Sequence, residues 1–124
     1  MIKYKTIPAF AKDFKALSKR FKSLPDDFEI LKRFTLETYY ECNIPTMAFV
    51  PIEGCCGQGY SSNKIRKFAC KSLKGRGSAS GLRVVFVWNK TSRTITFIEI
   101  YFKADQENEN RKRLEDFLKV NTKK

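Results

Sequence analysis

Residues 82–88 and 94–102 constrain the fold more than any other part of the chain. Leu82, Val84, Phe86 and Trp88 fall on one face of an extended segment, because successive side chains of a strand point to opposite sides. Thr96, Ile98, Ile100 and Phe102 do the same in the second segment. Two strands this apolar and this close together form a hairpin, and a hairpin alone is marginal in water. The chain must therefore supply more strands beside it and a layer of helix over it. A connection of odd length, 89–93, puts both apolar sets on one side. In that register Arg83 lies opposite Glu99, which gives Arg83 a purely structural reading as half of a cross-strand ion pair. The second face then holds Val85, Val87, Ile95 and Phe97 toward the turn, with Arg83, Glu99, Tyr101 and Lys103 toward the far end. Helices are expected over the first face, and a site at the charged end of the second.

The remaining segments provide those partners. Residues 2–7 alternate apolar and polar as a short strand, and Pro8 suits the first turn of a following helix. Phe10, Phe14, Leu17, Phe21 and Leu24 recur at helical spacing, opposite a solvated face of Lys12, Lys15, Lys19, Arg20 and Lys22. Residues 23–27 break this helix and start another, whose first turn carries Asp26, Asp27 and Glu29, where the helix dipole favours acids. A helical hairpin is expected from 9 to about 38. Residues 42–62, with Pro45, Pro51, Gly54, Gly57 and Gly59, read as a loop with at most a short strand at 47–51. A strand is expected at 64–72 and a helix at 105–119, with Asp105, Glu107 and Glu109 at its start and Leu114, Phe117 and Leu118 as its apolar patch. The fold class is α+β in a single domain, 1–124. A small curved antiparallel sheet with a mixed edge carries the helical hairpin on one face and a C-terminal helix.

Charge narrows the partners. The chain carries +12 at neutral pH, and no Asp or Glu occurs between Glu53 and Glu99. Inside that acid-free stretch lie Lys64, Arg66, Lys67, Lys71, Lys74 and Arg76, a run suited to nucleic acid or another anionic surface. The longest apolar run, 84–88, is too short to span a bilayer, and the N-terminus lacks the apolar core of a signal peptide, so a cytoplasmic protein is expected. There is no His, and none of the 4 Cys forms a Cys-x-x-Cys pair, which argues against a zinc cage and against His-dependent nucleophilic catalysis. No Gly-Lys-Ser/Thr closes the Gly-rich segment 75–81, so it is not a nucleotide-binding P-loop. What remains is a cation cluster on and beside the sheet: Lys71, Lys74, Arg76, Arg83 and Lys103. Arginine presents a planar fork to phosphate oxygens, and a lysine crowded by cations loses its proton more readily.

The stretch Ser80-Gly81-Leu82-Arg83-Val84-Val85-Phe86-Val87-Trp88, the strand Phe97-Ile98-Glu99-Ile100-Tyr101-Phe102-Lys103 and the opening helix Phe10-x-x-Asp13-Phe14-x-x-Leu17 together resemble the RelE/ParE superfamily of toxins from bacterial type II toxin–antitoxin systems. The resemblance covers most of the chain apart from 42–62. It implies a curved antiparallel sheet with helices packed on one side, and an antitoxin protein as partner. RelE-like members enter the ribosomal A site and cut mRNA with basic side chains on the sheet and a Tyr near the C-terminus. Carried over by position, the catalytic residues are Arg83 of the Ser-Gly-x-Arg motif, Lys74 and Arg76 before it, and Lys103 at the end of the last strand. Lys64, Arg66, Lys67 and Lys71 would bind the RNA. No Tyr occurs in 104–124, and Tyr101 stands on the strand itself. The reading is a ribosome-dependent mRNA endoribonuclease needing no metal or other cofactor, no small-molecule substrate and no membrane. The alternatives are a ParE-like inhibitor that binds DNA gyrase without cutting, and an inactive RNA-binding relative.

Overall fold

A computed structural model describes residues 2–57, 59–72 and 80–122, with the side chains of 53–57 and 122 outside that description. Its centre is a five-stranded sheet in the order β1-β5-β4-β3-β2, with β1 (Lys3–Thr6), β2 (Phe49–Gly57), β3 (Tyr60–Ile65), β4 (Leu82–Asn89) and β5 (Thr94–Phe102). β1 runs parallel to β5, and the other neighbours are antiparallel. The α+β class and the mixed edge match the expectation.

One face of the sheet is covered by α1 (Pro8–Arg20) and by a second helical rod. The rod comprises α2 (Leu24–Leu31), a π-helical turn (Lys32–Glu37) and α3 (Thr38–Cys42). Pro8 opens α1, where its missing N–H costs nothing. Phe10, Leu17, Phe21, Leu24, Phe28, Leu31 and Leu36 bury against Leu82, Val84, Phe86, Ile95, Phe97, Ile100 and Phe102. Rings dominate this layer: Phe97 packs on Phe10 at 5.5 Å and edge-on to Phe28 at 4.8 Å. Asp27, buried in the first turn of α2, serves more than the helix dipole. Its Oδ2 accepts the Ser23 hydroxyl (2.6 Å) and the Lys71 amide (2.9 Å), tying the segment after β3 to the helices.

The other face carries a smaller core of Ile52, Val85, Val87, Ile98, Tyr101 and Leu114, with Phe117 and Leu118 packed against it. The last two and Leu114 come from α4 (Arg111–Thr122). Arg113 fixes that helix, donating from Nη1 to Asp13 Oδ2 of α1 (2.6 Å) and to the Ile98 carbonyl (3.2 Å).

Three expectations change. Residues 42–62 are not mainly loop: β2 and β3 occupy most of 49–65, while β3 ends at Ile65 where a strand to 72 was expected. β2 is an edge strand with a register shift between Pro51 and Cys56, which explains how it tolerates Pro51 and its glycines. The C-terminal helix begins at Arg111, and Asp105, Glu107 and Glu109 lie in the turn before it.

The hairpin register also differs. Asn89 pairs with Thr94, and its side-chain oxygen accepts the Thr91 and Ser92 amides, so the connection is 90–93. A bulge then shifts the ladder between Val85 and Phe86. Phe97 and Ile95 therefore join the helix-covered face near the turn, and Ile98 turns to the second core. Beyond the bulge Val85 faces Glu99 and Arg83 faces Tyr101. The Arg83–Glu99 ion pair is not made: Glu99 is 3% exposed and accepts instead from Gln106 Nε2 and the Asn110 amide, each at 2.7 Å. That carboxylate pins the turn 103–110 against the sheet. No helix among the described residues is long and apolar enough to cross a membrane.

Candidate active site

The start of β4 and the end of β5 bring the motif residues together. Ser80 is fully buried; its hydroxyl donates to the Phe68 carbonyl (2.5 Å) and accepts the Leu82 amide (3.2 Å). Gly81 turns the chain with φ +92°, a conformation that favours glycine, and its carbonyl accepts the Lys103 amide (2.8 Å). The turn delivers Arg83 to the second face. There its Nη1 donates to the Arg66 carbonyl at 3.0 Å, so among the described residues backbone rather than an acid holds the guanidinium.

Around Arg83 lies an open groove of about 420 Å³. Lys64, Arg66, Lys103 and Arg111 line it together with Arg83 and Tyr101, and β2 supplies a wall from Val50, Pro51 and Ile52. An adjoining hollow of about 640 Å³ shares Arg66, Arg83 and Lys103 and adds Lys67 beside Met47 and Phe49. A row of cations thus runs past an apolar wall, an arrangement that suits a phosphate chain with bases beside it.

Two acids enter the same groove from the turn 103–110: Glu107 and Glu109. Glu109 Oε1 accepts Lys64 Nζ at 2.8 Å. Burial alone works against ionising Glu109. The bond from Lys64, one from its own backbone, and the charges of Lys64 and Arg111 outweigh it and hold the carboxyl below its ordinary value. Tyr101, on the floor, has its phenol pushed up to about 12, chiefly by burial and then by Glu109 and Glu99, against the opposing pull of Arg83. It keeps its proton at neutral pH, so it is equipped to donate a hydrogen bond and not to serve as a base.

Of the residues singled out from sequence, the groove and its hollow gather Lys64, Arg66, Lys67, Arg83 and Lys103. Lys71 is not among the lining residues; its amide is held by Asp27 beside α2. Lys74 and Arg76 lie outside the described residues. Sequence reasoning missed Glu109 and Arg111. Acids just ahead of a helix usually serve its dipole, and nothing local marks Glu109 as the partner of Lys64. The signal for Arg111 was its place at the head of a helix packed on the charged face.

Comparison with known proteins bears on the fold. No protein-family model matches the chain, and a search of curated protein sequences found no match. Among solved structures, the chain is similar to a chain of the archaeal RelE–RelB complex from Pyrococcus horikoshii. The TM-score is 0.50 at 13% identity, over 82% of this chain and 94% of that one. The two share a fold.

Proposed function

We propose that this chain is a RelE-like toxin of a toxin–antitoxin system that cleaves mRNA on the ribosome. The observation that carries the reading is the convergence of Lys64, Arg66, Arg83, Lys103 and Arg111 on one groove at the charged end of a RelE-type sheet. The groove presents the charge that a phosphodiester in single-stranded RNA requires.

In the proposed reaction the ribose 2′-hydroxyl loses its proton and attacks the adjacent phosphate to form a 2′,3′-cyclic phosphate, and the 5′-oxygen leaves as a hydroxyl after taking up a proton. Arg83, with Arg76, holds the phosphate as negative charge builds on it. The Arg83 fork acts in the groove with little reorganisation, since the Arg66 carbonyl already orients it. Lys74 is assigned the role of base that takes the 2′-hydroxyl proton. Lys103 stabilises the leaving oxygen, and Tyr101 donates to a phosphate oxygen. The work is done by protein cations without a metal. The groove cations Lys64 and Lys67 hold flanking phosphates, and Lys71 takes the RNA further along. The partner that silences the toxin is an antitoxin protein, and the site of action is the cytoplasm.

The test is primer extension on mRNA after induced expression, repeated in vitro with purified ribosomes and mRNA. Discrete new 5′ ends are expected in both. Growth arrest without new ends, with DNA gyrase inhibited instead, would establish the ParE-like alternative.

A further inference from the structure

A second cluster sits at the turn end of the sheet, away from the groove. Trp88 of β4 stacks on Tyr40 of α3, with ring centroids 4.0 Å apart and planes 21° from parallel. Tyr39 meets Tyr40 edge-on at 4.8 Å and Phe49 at 5.0 Å. The Arg93 guanidinium lies over the Trp88 ring, 5.6 Å from its centroid, and Nη2 donates to the Tyr40 carbonyl at 3.0 Å. Asn43, in the left-handed region at φ 57°, ends α3 and turns the chain away. An open cleft of about 440 Å³ results, lined by Tyr39, Tyr40, Asn43, Trp88, Lys90 and Arg93 among others, with no carboxylate among the described residues of its walls.

Packing explains only part of this cluster. Tyr40 and Trp88 pack against the main core. Tyr39 does not belong to that core and is 37% exposed beside two cations. Aromatic faces next to Arg and Lys, with no carboxylate among the described lining residues, fit a ligand that is planar and apolar at one end and anionic at the other. We infer that the cleft is a second nucleic-acid site, which stacks one base of single-stranded RNA on Tyr39 and takes its flanking phosphate on Lys90 and Arg93. Duplex RNA does not fit, because its bases are already stacked on one another. Trp88 and Arg83 lie about 17 Å apart along β4, at the rise of an extended strand, and on opposite faces. The cleft therefore binds independently of the proposed cleavage, and either reading can fail alone.

The chain has a single Trp, and it lines this cleft, so its fluorescence reports occupancy directly. The probe is a 2′-O-methylated single-stranded RNA tetranucleotide, which lacks the hydroxyl needed for cleavage, titrated into the full chain. Saturable quenching of Trp88 is expected. Tyr39→Ala weakens binding by on the order of tenfold, the loss typical of one stacking ring, and the exposed Lys90→Gln weakens it several-fold. Arg83→Ala leaves the midpoint unchanged. Circular dichroism verifies that Tyr39→Ala is folded, and Lys90→Gln gives the same answer without touching the packing. The inference is overturned by an absence of quenching, by quenching that follows Arg83 rather than Tyr39 and Lys90, or by an equal response to duplex RNA or to an acidic peptide.

Discussion

Glu99→Gln probes how the sheet carries the turn that closes the groove. Both carboxylate oxygens are in use, Oε1 by the Asn110 amide and Oε2 by Gln106 Nε2. Glutamine keeps one acceptor and replaces the other by an NH2, so a donor is left facing a donor. A hydrogen bond to a charged group contributes about 1.5–3 kcal/mol net, and an unmatched buried donor costs a similar amount. Losing one bond while the other weakens gives an expected destabilisation of about 2–3 kcal/mol. For a domain of this size that lowers Tm by about 6–12 °C. Urea unfolding followed by Trp88 fluorescence measures it, with an unchanged m-value showing that the change is in stability. An exposed ion pair between Glu99 and Arg83 would instead cost about 1 kcal/mol or less, and Arg83→Ala would cost the same. A loss below about 0.5 kcal/mol in Glu99→Gln, or an equal loss in Arg83→Ala, would refute the anchoring role.

Other perturbations follow from the same geometry. Gly81→Ala places a Cβ 3.2 Å from Phe102 Cε1 at a φ of +92°, so a loss of about 1–2 kcal/mol is expected in the same urea assay. Tyr101 has its phenol raised from 10.0 to about 12, so its contribution to stability is complete below pH 10 and disappears as pH climbs through about 12. Tyr4 and Tyr40 are also pushed up, mainly by burial, so near-ultraviolet titration should show less tyrosinate in the native protein than in the unfolded chain over that range. Tyr101→Phe should narrow the difference. Glu109 is shifted the other way: its contribution is present above 4.5 and falls away in acid, so wild type and Glu109→Gln should differ in stability at neutral pH and converge in acid.

Much of this architecture was legible because its signals are local. Pro8 and the Phe10–Leu17 spacing specify α1, and alternation marks β4 and β5. The hairpin register was not legible. It depends on Ile98 reaching a second core under α4 and on Glu99 bonding to a turn several residues onward. Neither partner shows in the alternation of the strand itself. β2 was obscured because an edge strand can carry Pro51 and glycines that read as loop. In the candidate site, Lys64, Arg66, Lys67, Arg83 and Lys103 announce themselves by charge and position. Glu109 and Arg111 arrive only through the packing of α4, and Lys71 is drawn aside by a buried Asp27 that looked like a simple helix-start acid.

The groove around Arg83 is proposed to cleave RNA. Its most direct test is the rate of mRNA cleavage on ribosomes by Arg83→Ala, set beside Lys12→Ala on the exposed side of α1. A fall on the order of a hundredfold or more is expected for Arg83→Ala, the loss typical of removing one preorganised charge donor, with the fold intact. Lys12→Ala should cut at close to the wild-type rate. Cleavage by Arg83→Ala at the wild-type rate, or an equal fall in both variants, would contradict it.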